Sequence, residues 1–198
     1  MTLVFATNNE NKVKEIRSML GDNFSIITLQ EAGIDIDIPE PHDTLEDNAR
    51  EKSSVIFEMT GKDCFSEDTG LQIDALDGAP GVLSARYAGE QKLADDNITK
   101  VLQEMEGKDN RQAHFRTVIS LILGGQEYQF TGVCPGTILT ERKGSKGFGY
   151  DPIFMPDGST KAFAEMDAAD KNKFSHRAKA LQQLITFLKE EGNKSLSL

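Results

Sequence analysis

The sequence predicts an α/β fold, a mixed β-sheet flanked by helices. Strand-length apolar runs such as Leu3 to Ala6 alternate with segments of helical spacing such as Lys12 to Leu20. Gly124-Gly125 stands between two β-type runs as a hairpin turn. The chain of 198 residues is long enough to bury a substantial core, whole or split into two lobes.

Taken in order, Leu3-Val4-Phe5-Ala6 reads as a short buried strand, and Thr7 to Asn11 is polar. Val13, Ile16, Met19 and Leu20 then give one apolar helical face. Phe24 to Leu29 resumes a strand and completes the first half of an α/β unit. Ligands of such units gather outside the carboxyl ends of strands, where Thr7 to Lys12 falls. Ile34 to Ile38 alternates with Asp35 and Asp37, an extended segment with its aspartates in water, stopped by Pro39. Thr44 and Asp47 mark the start of a helix through Leu45, Ala49, Ile56 and Met59.

Cys64-Phe65-Ser66 and Leu71-Gln72-Ile73 read as two short runs separated by an acidic turn at Glu67-Asp68. After the turn-rich Asp77 to Gly81 comes a helix through Ile98, Val101, Leu102 and Met105. Ala113 to Leu123 and Glu127 to Val133 flank the hairpin turn. The last helix starts near Ser175 and passes Leu181, Leu184, Ile185 and Leu188. Residues 192–198 are polar and lack an apolar face, so they are expected to fray outside a domain spanning 1–191.

Composition narrows the function. Lys and Arg number 22 against 32 Asp and Glu, so the surface as a whole repels the phosphate backbone of nucleic acid. An anionic ligand must therefore be small and locally compensated, by clustered cations, a helix N-terminus or a divalent metal. No run approaches the ~20 apolar residues of a membrane span, and none has the length of a signal h-region. A cytoplasmic protein without a membrane partner is the expectation. Cys64 and Cys134 each sit in a strand-like apolar run, as buried reduced thiols do.

Four polar clusters carry chemistry. Thr7-Asn8-Asn9-Glu10-Asn11-Lys12 reads either as an ordinary helix cap or as a phosphate cradle of backbone N–H groups with Lys12 supplying charge. It is not a P-loop, since no G-x-x-x-x-G-K-[ST] occurs. Ser66-Glu67-Asp68-Thr69-Gly70 offers paired carboxylates, and Glu40 is a third acid arriving after Pro39. Such oxygens suit Mg²⁺, which takes one or two carboxylates plus substrate phosphates; the alternative is surface charge. Gly147-Phe148-Gly149-Tyr150-Asp151-Pro152 combines aromatics able to stack on a base with an acid able to read a ring N–H, or else packs on the core. Lys171 and Ser175-His176-Arg177 place cations at a helix start, which they disfavour unless an anion or acceptor is near.

In their order and spacing these motifs, with Gly78-Ala79-Pro80-Gly81 and Ser84-Ala85-Arg86-Tyr87, resemble the inosine triphosphate pyrophosphatase family, the dITP/XTP pyrophosphatases. The resemblance runs over nearly the whole chain. It implies an elongated sheet with two lobes, a purine nucleoside triphosphate in the cleft between them, Mg²⁺ dependence and a homodimer. By position, Thr7, Asn8, Asn9, Glu10, Asn11 and Lys12 correspond to the phosphate loop. Glu40, Glu67 and Asp68 correspond to the metal-site acids, with Asp68 also the general base. Thr69, Phe148, Gly149, Tyr150, Asp151, Lys171, His176 and Arg177 correspond to further nucleotide contacts. Family members often carry Asp-Asp-Ser-Gly where this chain has Glu67-Asp68-Thr69-Gly70.

The implied reaction is attack of water at the α-phosphorus of the triphosphates of inosine and xanthosine, releasing monophosphate and pyrophosphate. Lys171 and Arg177, as donors, would suit a purine 6-carbonyl. The Maf-like nucleotide pyrophosphatases are a neighbouring reading, but they open with Ser-x-Ser-Pro-Arg-Arg rather than Thr7-Asn8-Asn9. A catalytically silent nucleotide sensor is the alternative from another class, and it would not need a base.

Overall fold

The computed structural model of the protein describes residues 1–21 and 24–195, with the side chains of 193–195 omitted. Its strands are β1 (Thr2–Phe5), β2 (Ser25–Thr28), β3 (Cys64–Ile73), β4 (Pro80–Gly81), β5 (Gln112–Leu123), β6 (Gln126–Ile138) and β7 (Phe154–Pro156). Its helices are α1 (Glu10–Leu20), α2 (Leu45–Thr60), α3 (Ala94–Glu104), α4 (Ala168–Asn172) and α5 (His176–Ser195), with short 3-10 turns between several of these. The strands hydrogen-bond in the order β2-β1-β3-β5-β6-β7, and β4 pairs with β3. β1 runs parallel to β2 and β3, whereas β4 is antiparallel to β3 and β7 antiparallel to β6. The predicted mixed sheet with helices is therefore the fold.

The chain divides into two compact units. Unit 1 comprises 1–68, 117–132 and 177–198; unit 2 comprises 69–116 and 133–176. In unit 1, α1 and α5 bury Val13, Ile16, Leu20, Leu181, Leu184 and Leu188 against Leu3, Phe5 and Phe65 of the sheet. Phe5 and Phe65 stack 4.4 Å apart at 5°, an arrangement worth about 0.5–1.5 kcal/mol beyond burial. A second apolar cluster joins Val4, Ala6 and Cys64 to Ile56, and Ile34, Ile36 and Ile38 pack on it. The alternation of 34–38 places Asp35 and Asp37 in water as expected, although the segment pairs with no strand. Unit 2 has its own core, in which Ile98 and Val101 of α3 and Met105 just beyond its end pack with Leu71, Ile73, Phe154 and Phe163.

Local sequence accounts for most element ends. Asn9 caps α1, its side chain accepting from the backbone N–H groups of Asn11 and Lys12. Thr44 caps α2 by accepting from Asp47, and Gly61 ends that helix in the left-handed conformation. Gly124 and Gly125, at φ 58° and 81°, supply the two positive dihedrals of a tight hairpin between β5 and β6. The hairpin's second strand runs on to Ile138, beyond the expected end at Val133.

Three expectations need correction. Glu67 and Asp68 do not form a turn: β3 is one continuous strand of 10 residues. Gly70 permits this, because a Cβ there would come within 2.7 Å of the Gly81 carbonyl oxygen on the paired strand. Met59 is 56% exposed, and the buried face of α2 instead includes Asn48, Lys52 and Ser53. Finally, α5 continues through Ser195, so residues 192–195 of the expected tail are helical, while 196–198 lie outside the described residues.

Candidate active site

The unit 1 site grows from the carboxyl ends of parallel strands. β1 ends at Phe5, paired with Phe65, and β3 continues past that point to Glu67 and Asp68. Thr7 to Asn9 leave β1 there and feed α1. Thr7 accepts a hydrogen bond from the Asn9 backbone N–H at 3.2 Å, and the Asn8 amide donates to the Ile36 carbonyl at 2.8 Å. Asn8, Asn9, Glu10 and Asn11 are exposed, and Lys12 is half-buried.

Successive residues of a strand face opposite sides, and the pleat of β3 sends its two acids to different partners. Asp68 meets Lys52 of α2, whose Nζ donates to Asp68 Oδ1 at 3.0 Å and to Glu40 Oε1 at 2.6 Å. Glu67 meets Arg177 of α5, whose Nε donates to Glu67 Oε2 at 2.8 Å. Lys12 Nζ lies 3.1 Å from Glu67 Oε1, and Arg177 also donates to Glu15 of α1. Glu15, Glu40, Glu67 and Asp68 thus face Lys12, Lys52 and Arg177, so the acids outnumber the cations by one.

Burial and charge pull these acids apart in pKa. Burial pushes the Asp68 carboxyl above its ordinary value, and Lys52 and Lys12 offset this only in part. Burial would also raise Glu40, but the Lys52 ammonium overrides it and holds that carboxyl low. For Glu67, burial is overcome by Arg177 and then Lys12, which hold it down to about 2. Lys52 would lose its proton more readily for being buried, yet Asp68 and Glu40 raise its pKa.

The donor set fits a hard divalent cation. Asp68 Oδ2 is buried with no hydrogen-bond partner, an acceptor that the protein itself leaves unsatisfied. Among the described residues, no three His, Cys, Asp or Glu side chains gather into a ready cage. Two carboxylates suffice for Mg²⁺ when a substrate's phosphates supply further oxygens.

The unit 2 residues form a separate constellation. Asp151, 3% exposed, accepts through Oδ2 from Lys171 Nζ at 2.6 Å and from the Phe148 backbone N–H at 2.9 Å. Gly147 permits this turn, since a Cβ there would fall 2.0 Å from that same oxygen. Lys171 lies on α4 rather than on the final helix, with Nζ 5.2 Å from the Phe148 ring centroid and 5.3 Å from that of Phe163. His176 stacks on Phe115 at 4.6 Å and 14°. Phe148 and Gly149 are half-buried, as is Thr69. Tyr150 is buried and donates its hydroxyl to the Ser84 carbonyl at 2.8 Å; burial pushes its phenol pKa up.

Lys52 and Glu15 stand outside the expected residue set. Lys52 had one legible signal, its place between Ala49 and Ile56 on the inward face of α2. Glu15 had none beyond its spacing of one helical turn from Lys12.

An α/β chain that gathers buried acids and cations near the carboxyl ends of parallel strands, beside a capped helix start, belongs to the class of α/β proteins that bind small ligands beyond the strand ends. More narrowly, it is a member of the Ham1 family, whose model matches residues 3–187. It is similar to the dITP/XTP pyrophosphatase of Flavobacterium johnsoniae, 52% identical over 188 residues that cover 95% of this chain and 98% of that protein. The dITP/XTP pyrophosphatase of Porphyromonas gingivalis is 50% identical over 187 residues, 94% of this chain and 96% of its own. Among solved structures, a HAM1 protein from Coxiella burnetii superposes with a TM-score of 0.88 at 37% identity, covering 96% of this chain and 99% of its own. The Staphylococcus aureus Ham1 protein gives 0.87 at 35% identity, with 96% and 100% covered.

Proposed function

We propose that the protein is a nucleoside triphosphate pyrophosphatase that hydrolyses the triphosphates of inosine and xanthosine, in ribo or deoxy form, to monophosphate and pyrophosphate. It thereby removes these purines from the nucleotide pool. The Glu40–Lys52–Asp68 cluster, in which Lys52 and Asp68 are buried and one Asp68 oxygen is unsatisfied, is the observation that carries this reading. The names of the relatives point the same way.

Asp68 is the general base. Its raised pKa suits proton abstraction from water better than an ordinary carboxylate would. Glu40 and Asp68 would hold Mg²⁺, which supplies neutralisation of the triphosphate and polarisation of the phosphorus under attack. Lys52 keeps the two carboxylates ionised and oriented. Lys12 and the N–H groups at the start of α1 take phosphate oxygens. Glu67, bound to Arg177 and Lys12, acts on the cations rather than on the metal.

Asp151 and Lys171, beside Phe148, are assigned the purine. The Lys171 ammonium, besides donating to Asp151, would turn a further N–H to a 6-carbonyl, and an adenine amino group offers that N–H no acceptor. By the family resemblance the enzyme works as a cytoplasmic homodimer, which mass measurement of the purified chain tests.

The deciding experiment measures pyrophosphate release from ITP and ATP with Mg²⁺ and with EDTA. Equimolar IMP and pyrophosphate from ITP, abolished by EDTA and at least ~10-fold weaker in kcat/KM for ATP, is expected. Stepwise orthophosphate release, or equal use of ATP, overturns the reading.

A further inference from the structure

We propose that Asn48 is a positioning residue for the metal-site acid Glu40: its buried amide clasps the backbone of His42 and so presets the carboxylate two residues earlier. The inference rests on the metal role proposed above for Glu40.

Glu40 sits in a stretch that regular structure does not hold. Residues 35–43 belong to no helix or strand, and the acid stands between Pro39 and Pro41, neither of which has a backbone N–H to give. Its placement must come from side chains. Asn48, fully buried near the start of α2, accepts through Oδ1 from the His42 backbone N–H at 2.9 Å and donates through Nδ2 to the His42 carbonyl at 3.0 Å. The amide thus pairs with both polar groups of one residue, as the facing residue of an antiparallel strand does. Two such bonds fix orientation as well as distance.

The spacing makes this clasp bear on Glu40. Asn48 and Lys52 are four residues apart, so they project from one face of α2 a single turn from each other, and both are buried. Asn48 holds the backbone two residues after Glu40, while the Lys52 ammonium holds the Glu40 carboxylate at 2.6 Å and Asp68 at 3.0 Å. One helix therefore sets both the base and the tip of the acid. The two grips differ in what a metal does to them. A divalent cation at Glu40 and Asp68 repels the ammonium and competes with it for the same carboxylates. The clasp on His42 is made of neutral groups and is outside that competition. Asn48 is thus what keeps Glu40 in reach while its carboxylate changes partner. Without it, the segment has to be ordered when the metal binds, which weakens the metal rather than the chemical step.

Asn48→Leu is the variant to make, because it keeps most of the buried volume and removes both bonds. Its His42 N–H should exchange with deuterium at least ~10-fold faster than in the wild type. Affinity for Mn²⁺ alone, followed by the paramagnetic resonance of the free ion, should fall about fivefold. In ITP turnover the Mg²⁺ needed for half-maximal rate should rise by about the same factor, with kcat at saturating Mg²⁺ within about twofold. Placed in Glu40→Gln, the change should lower Mn²⁺ affinity no further, because the clasp then has no ligand to present. Gly61→Ala, strained at φ 62° at the other end of α2, is the control for general loss of helix stability and should leave Mn²⁺ affinity unchanged. If Asn48→Leu does not fold, Asn48→Ala, which cannot overpack and favours the helix, takes its place.

Unchanged Mn²⁺ affinity in the folded variant, an equal loss in Gly61→Ala, or an equal further loss in the Glu40→Gln background overturns the proposal. None of these readings needs turnover. A wild type that releases no pyrophosphate from ITP sinks the proposed function, whereas a fivefold loss of Mn²⁺ affinity confined to the Glu40 background upholds the clasp in either case.

Discussion

The two units solve the problem of a buried charge differently. In unit 1, Glu67, Asp68, Lys52 and Arg177 are all buried, and each cation is shared between two carboxylates or each carboxylate between two cations. In unit 2, Asp151 and Lys171 meet beneath the rings of Phe148 and Phe163, beside a block in which Phe115, Phe154, Phe163 and His176 pack on one another. A shared network tolerates the arrival of further charge, because each ion can exchange a partner without being stranded. A pair set among aromatics tolerates shape and hydrogen-bond direction but not added charge. The first suits a triphosphate, the second a flat neutral ring.

The comparison breaks most readily in stability. Lys171→Met removes the ammonium from a buried carboxylate and should cost about 3–5 kcal/mol in urea unfolding. Lys12→Met leaves Glu67 with Arg177 and should cost less than Lys171→Met, because the buried carboxylate keeps one cation. The reverse order would erase the distinction between the units. The next effect is kinetic. Asp68→Asn should lower kcat for ITP by at least ~10² while the protein stays folded, since it removes the proposed base but keeps its shape. Near-normal turnover takes Asp68 out of the mechanism.

What could be read beforehand was whatever is local in sequence. The cap reading of Thr7 to Lys12, which the structure places on Asn9, the cap at Thr44 and the Gly124-Gly125 hairpin each depend on neighbours within a few residues, and all three are in the structure. The acidic pair was visible but its geometry was not, because adjacent carboxylates fit a turn or a strand equally well until Gly70 is seen against Gly81. Lys52 escaped because a lysine on a helix is ordinarily solvated, and its burial depends on acids 12 and 16 residues away. Arg177 was conspicuous as a cation at a helix start, a place that calls for an acceptor. Its acceptors come from positions 110 and 162 residues distant, which no periodicity reveals.

Acid unfolding sharpens the contrast further. Glu67 titrates at about 2 in the folded protein against an ordinary value of 4.5. A depressed carboxylate pKa contributes stability that is complete above the ordinary value and lost as pH falls toward the folded one. Wild-type stability should therefore drop between pH 4.5 and 2. Glu67→Gln should be less stable at neutral pH yet show a flatter profile across that window. An unchanged slope in the variant would mean that other carboxylates govern acid unfolding.

The smallest effect separates two roles of one residue. Asn9 caps α1 through its side-chain oxygen, and the same segment is assigned the phosphates. Asn9→Ala confounds the roles, since it costs about 1 kcal/mol of capping and also disturbs the loop. Asn9→Asp does not. Aspartate caps as well as asparagine, and its charge interacts favourably with the helix N-terminus by about 0.3–1 kcal/mol. Stability should stay level or rise slightly. The same charge faces any incoming phosphate, and like charges about 4 Å apart in water repel by about 1 kcal/mol, so KM for ITP should rise about fivefold. Thr44→Asp at the α2 cap should match it in stability and leave KM alone. A KM unchanged in Asn9→Asp would reduce Asn9 to a cap and move the phosphates away from the start of α1.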